Sequence, residues 1–143
     1  ATSNICTNQG LLALRATVYL SLVGPKGLRE VAELSLRKAN YAAEQITAGG
    51  RLSLAFERPT FKEFVVRDRE NNVPQLLADA RAAGFYAGVP LADWYPQLAD
   101  CFLIAVTEKR TRAEIDALAV ALNSSSAKTT SNSTKLHATT AHA

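Results

Sequence analysis

The chain opens on ATSNICTNQG, in which Thr2, Ser3, Asn4, Thr7, Asn8 and Gln9 crowd hydroxyl and amide groups around Cys6, just ahead of a long apolar run. Thr7 and Asn8 are residue types that cap a helix N-terminus by accepting from its free N–H groups. The other candidates for chemistry are few. Glu30 with Glu33, and Glu114 with Asp116, are paired carboxylates at spacings that put them on a helix surface or in a cap. Lys26, Lys38, Lys62 and Lys109 all lie among other charges, whereas a Schiff-base lysine needs a pocket that lowers its pKa. The run TEKRT (Thr107 to Thr111) has two readings. One is a polar strand-to-helix loop, and the other is an Arg110 that meets an anionic ligand. Cys6 and Cys101 lack CxxC or CxxH neighbours and sit beside apolar residues, the pattern of buried thiols in a reducing compartment.

Several classes of chemistry are disfavoured. Both histidines, His137 and His142, fall within residues 124–143. The body therefore has no imidazole to hold rigidly in a triad, as a general base or in a transition-metal site. Neither GxGxxG nor GxxxxGK[ST] occurs, so neither standard phosphate cradle is expected. The net charge of +3 is misleading, because residues 124–143 hold Lys128 and Lys135 and no acid. Set apart, they leave 14 basic against 13 acidic residues, with no basic stripe for a nucleic acid. This Ser/Thr/Ala-rich tail has too little apolar surface to offset its ordering entropy and is expected to be disordered. The sequons at Asn123, just ahead of the tail, and at Asn132 within it carry no meaning in a cytoplasmic chain. The longest apolar stretch, LLALRATVYLSLVG, contains Arg15 and is shorter than the roughly 20 residues of a membrane span. The start at Ala1 and the absence of methionine suggest a piece cut from something longer.

These residues must be placed by elements, and the hydrophobic period locates them. Leu11, Leu12, Leu14, Val18, Leu20 and Leu22 surround most of a first helix, which should be buried on several sides. Gly24 stops it and Pro25 suits the first turn of a second. There Ala39, Ala42 and Ile46 form an alanine-rich seam ending at Gly49-Gly50. Strands are expected over Leu52–Phe56, TFKEFVVRD and the central CFLIAVTE, with FYAGVPL a short strand or extended segment. Asn72 should cap a short helix over Pro74–Ala83 with Gly84 as its stop. Thr111 and Glu114 form a T-x-x-E capping box before TRAEIDALAVAL. The order ααββαββα implies an α+β layer, a mainly antiparallel sheet with helices on one face.

The stretches ATSNICTNQ, LLALRATVYLSLVGPKGLREVAELSLRKANYAAEQI, FKEFVV, GVPL and YPQLADCFLIAVTEKRTRAEIDALAVAL, in order over residues 1 to about 122, carry a resemblance. The chain resembles the P-protein family of the glycine cleavage system in its split form, subunit 1 of glycine dehydrogenase (decarboxylating). The resemblance implies the small C-terminal domain of a fold type I pyridoxal-phosphate enzyme. Residues 1–24 would be a linker and buried helix entering it, residues 25–123 the α+β small domain, and residues 124–143 the tail. It implies pyridoxal phosphate bound through a lysine of glycine dehydrogenase subunit 2. The implied assembly is a cytoplasmic heterotetramer that decarboxylates glycine and passes the aminomethyl group to lipoylated H-protein. By the same resemblance Thr2, Ser3 and Asn4 would face the cofactor phosphate; the other reading makes them a plain cap and interface filler. No catalytic residue and no metal ligand are expected on this chain, nor any nucleic-acid or membrane partner, and alone it should be inactive. The large domain ahead of Ala1 and a family counterpart of the tail are missing. The alternatives are a stand-alone α+β interaction module and the small domain of another pyridoxal-phosphate enzyme, such as a cysteine desulfurase or an aminotransferase. The ATSNICTNQ block argues against the second.

Overall fold

A computed structural model describes the backbone over residues 4–124 and side chains from Asn8 onward. The expectations for Cys6 and for the tail lie outside the described residues. The rest falls into two compact units that divide between Leu34 and Ser35.

The first unit is helical. Helix α1 (Asn4–Thr47) begins here, so Thr7 and Asn8 lie inside it and not at its cap. The apolar run that follows propagates the helix backward over the polar residues. Gly24 breaks it, with φ 63° and ψ 179°, a conformation only glycine adopts at low cost. Pro25 follows, supplying no N–H for the interrupted ladder. The two expected helices are therefore present, meeting at the kink at Gly24 and numbered together as α1. Thr17 and Ser21 spend their hydroxyls on the carbonyls of Ala13 and Thr17, at 2.9 and 2.8 Å. Leu11, Leu12, Leu14, Val18 and Leu20 are at least half exposed, and Leu22 is 82% exposed. Among the described residues the Leu11–Leu22 segment is therefore not buried as expected.

The second unit is the α+β layer. Strands β1 (Leu52–Leu54), β2 (Glu63–Asp68), β3 (Val89–Pro90) and β4 (Cys101–Ala105) form an antiparallel sheet in the order β1-β2-β4-β3. The expected central position of CFLIAVTE holds, although the strand ends at Ala105. Along β2 the side chains alternate, with Phe64, Val66 and Asp68 buried. On the same face lie Phe102 and Ile104 of β4, covered by Ala39, Ala42 and Ile46 of α1 and by two further helices. Those are α2 (Val73–Ala82), through Leu76 and Ala80, and α3 (Arg112–Ser124), through Ile115, Ala119 and Leu122. The alanine seam lets α1 approach the sheet closely. Asn72 makes no side-chain cap on α2. It nevertheless holds the N-cap position, its carbonyl accepting from Leu76 N–H and its own N–H donating to Asp68 Oδ2, both at 3.0 Å, and Pro74 in the first turn leaves one fewer donor to satisfy.

Candidate functional site

An apolar wall with a charged rim lies in the second unit, between the end of α2, the end of β4 and the start of α3. Gly84, at φ 91°, ends α2. Its N–H donates to Arg81 O (2.9 Å), and the Phe85 N–H donates to Ala80 O (2.9 Å), a Schellman closure that only a residue tolerant of positive φ permits. That turn delivers Phe85, Tyr86 and Ala87 as one wall. The second wall is the end of β4 with Val106, whose N–H donates to Lys62 O at 2.8 Å. The third is the first two turns of α3. Together they enclose a cleft of about 380 Å³ with Ala42 in its lining.

The rim is set by the capping box, which forms as the sequence predicts. Thr111 N–H and hydroxyl donate to Glu114 Oε2 at 2.7 and 3.0 Å, and Glu114 N–H donates to Thr111 Oγ1 at 3.2 Å. These Thr111 donors hold the Glu114 carboxyl below the usual carboxylate range. Arg110 reaches the other carboxylate oxygen at 3.5 Å and is half exposed. Lys38 donates its ammonium to the Glu108 carbonyl, tying α1 to the loop ahead of α3. Outside the cleft, Tyr41 donates to Asp116 Oδ1 at 2.5 Å and accepts from Arg112 Nε at 3.0 Å, a clasp between α1 and α3.

The residues expected to do chemistry separate in the structure. Arg110 and Glu114 come together; Glu114 is a cap residue and Asp116 a partner of Tyr41. Of the lysines, Lys26, Lys62 and Lys109 are exposed, and Lys38 is engaged. None lies in the apolar enclosure that a Schiff-base lysine requires, so the described residues do not fit covalent attachment of pyridoxal phosphate. Thr2 and Ser3, and the side chain of Asn4, lie outside the described residues. Cys101 is buried and free, and its thiol donates to Asp100 Oδ1 at 3.2 Å. Burial, helped by Asp100, pushes the thiol pKa up, which makes it unreactive. Among the described residues no cluster of His, Cys, Asp and Glu could hold a metal ion, and no helix is long and apolar enough to cross a membrane.

Residues 1–122 match the family model of the glycine cleavage system P-protein. The chain belongs to that family. It is 47% identical over 123 residues to a probable glycine dehydrogenase (decarboxylating) subunit 1 from Desulforamulus reducens, covering 85% of this chain and 27% of that one. To the protein of the same name from Carboxydothermus hydrogenoformans it is 52% identical over 119 residues, covering 82% and 26%. A crystal structure of glycine decarboxylase (P-protein) of the glycine cleavage system, in inhibitor-bound form, superposes with a TM-score of 0.75 at 28% identity, covering 87% of this chain and 28% of that one. This P-protein family chain therefore spans about a quarter of the length of the relatives it matches. The expected placement at their C-terminal end is withdrawn, since the matches give the share covered and assign it no such end.

Proposed function

We propose that this chain is part of subunit 1 of a glycine dehydrogenase (decarboxylating). In this reading the assembled enzyme removes carbon dioxide from glycine and passes the aminomethyl group to lipoylated H-protein. The observation that carries the reading is the family match over residues 1–122, joined to relatives named as subunit 1. Those names suggest a second subunit, and the exposed or engaged state of the four lysines among the described residues supports assigning the Schiff-base lysine to it. Pyridoxal phosphate, when bound, supplies the electron sink for loss of carbon dioxide. The part assigned to this chain is non-covalent. Thr2, Ser3 and Asn4 would donate hydrogen bonds to the cofactor phosphate from the polar side chains that open the chain. The bare apolar surface of α1 supports a second role, as a face buried against the rest of the enzyme. A cytoplasmic heterotetramer completes the proposal.

The test is reconstitution. A complete subunit 1 carrying this sequence, mixed with glycine dehydrogenase subunit 2, pyridoxal phosphate and lipoylated H-protein, should exchange labelled bicarbonate into glycine. The chain of residues 1–143 alone should not, and borohydride reduction with pyridoxal phosphate should leave it without a site-specific lysine adduct. Failure of the complete mixture, with both subunits folded and co-eluting, sinks the reading.

A further inference from the structure

Arg110 has no task in the function proposed above, yet it stands at the rim of the cleft between the Phe85–Ala87 turn, β4 and α3. The floor and walls of that cleft are apolar. Ile104, Val106 and Ile115 are almost wholly buried, Phe85 and Leu118 partly so, and Tyr86 stands exposed at the edge. A volume near 380 Å³ lies at the small end of the range for ligand sites, which combine such lining with a few convergent polar groups. The walls are fixed by a closed helix C-terminus, a central strand and a closed capping box, so the cleft exists before any ligand arrives.

The polar groups restrict the ligand. The box takes the N–H groups of Thr111 and Glu114, and the Glu114 carboxylate held at the start of α3 opposes an anion at the helix terminus itself. The Arg110 guanidinium is available. Its contact with Glu114 is 3.5 Å long, beyond a good hydrogen bond, and it makes no other side-chain contact among the described residues. A planar guanidinium with unused donors suits a carboxylate, which it binds through two parallel N–H···O bonds. Glu114 beside it repels a second negative charge, and Arg110 itself repels an amine. We propose that this cleft binds a monocarboxylate with an apolar chain of medium length, its carboxylate on Arg110 and its chain along Phe85, Ala87, Ile104 and Leu118. Glycine, which has no apolar body, is not such a ligand.

The experiment titrates the whole chain with octanoate, 1-octanol and acetate, following backbone amide resonances. Saturable octanoate shifts are expected at residues 85–87, 104–106, 110 and 118, with acetate too weak to saturate. Arg110→Gln should weaken octanoate about tenfold or more while leaving 1-octanol unchanged, because only the ion-paired hydrogen bonds are removed. Arg110 is half exposed, so the variant folds, and an unchanged melting curve checks this. Arg110→Lys should recover part of the affinity, and Ala87→Phe, which fills the cleft, should abolish binding of octanoate and of the alcohol. Equal octanoate affinity in wild type and Arg110→Gln would overturn the proposal. So would shifts confined to the exposed apolar residues 11–22, or no saturable binding at all.

Discussion

Asp68, 1% exposed at the end of β2, takes two hydrogen bonds from the Arg51 guanidinium, from Nε at 2.8 Å and Nη2 at 2.9 Å. The Glu70 N–H (3.1 Å) and the Asn72 N–H (3.0 Å) occupy the remaining carboxylate positions. One buried acid thereby fixes the β1–β2 register, the turn through Asn71 at φ 51° and the approach to α2. Removing one partner of a buried pair leaves the other charge without compensation. Asp68→Ala should therefore cost about 3–5 kcal/mol in urea unfolding. Glu70→Gln, which takes the charge from the half-exposed pair with Arg51, should cost under about 1 kcal/mol. Equal losses in the two variants would show that Asp68 does not organise the turn.

The same pair makes a prediction about acid. Burial pushes the Asp68 carboxyl up, but the Arg51 bonds and the Asn72 and Glu70 N–H groups outweigh it and leave it below the usual range. A carboxyl depressed in the folded state gives stability that is full above its unfolded pKa of about 3.9 and drains away as pH falls through the lower folded value. Wild type should lose stability steeply below about pH 4. Asp68→Asn should be weaker at neutral pH and show a shallower acid limb. Parallel limbs in the two proteins would assign the acid sensitivity to other groups.

How far the sequence foretold these features depends on what each one rests on. Local chemistry was readable. The T-x-x-E box needed only Thr111 and Glu114, and the Gly84 stop and Gly24 break needed only glycine's tolerance of positive φ. The sheet was readable in outline, because Phe64, Val66, Phe102 and Ile104 keep a period of two. The same period puts Asp68 in phase with Phe64 and Val66, a signal of a buried acid that the reading of TFKEFVVRD as a plain strand passed over. The N-cap on Thr7 and Asn8 failed because capping propensity is weak beside the tendency of a long apolar helix to extend. Asn72 takes the expected N-cap position of α2, but its side chain makes no cap bond. The cleft could not be read at all, since its lining joins Ala42, the turn over residues 84–87 and residues 104–118, which are far apart in the chain.

Gly49 and Asn123 form a second tertiary relationship open to test. Asn123 Nδ2 donates to Ala119 O at 2.9 Å and to Ile46 O at 3.3 Å, tying the end of α3 to the end of α1. Its Oδ1 is turned to Gly49, where a β-carbon would overlap it. Gly49→Ala should displace the amide and cost about 1–3 kcal/mol, the scale for leaving buried polar groups unpaired. In an Asn123→Ala background the clash is gone, so the double variant should lose clearly less than the sum of the singles. Strict additivity in chemical denaturation would contradict the overlap.

Helix α1 predicts behaviour in solution. Leu11, Leu14, Val18 and Leu22 line one face of the helix, Leu12 and Leu20 stand on other sides of it, and all six are at least half exposed. One antiparallel neighbour could not cover them. Contiguous apolar surface on this scale drives association when its partner is absent. The isolated chain should self-associate and bind a hydrophobic dye, and Leu14→Gln with Leu22→Gln should reduce both without changing the melting of the sheet core. A monodisperse monomer by light scattering at high concentration, with no dye binding, would contradict this.

The opening residues supply the final prediction, and it separates a cofactor contact from an interface filler. If Ser3 and Asn4 donate to a cofactor phosphate, each bond to that charged group contributes about 1.5–3 kcal/mol. Replacing both by Ala in a complete subunit 1 assembled with subunit 2 should then weaken pyridoxal phosphate retention by about tenfold or more. Assembly should hardly change, because small polar side chains bury little area. If the two residues only hold the start of the helix, cofactor affinity stays the same and stability falls by about 1 kcal/mol. Equilibrium dialysis of the cofactor against the assembled variant, run beside a thermal melt, distinguishes the outcomes. Retained affinity with a lowered melting point would remove Thr2, Ser3 and Asn4 from the cofactor site.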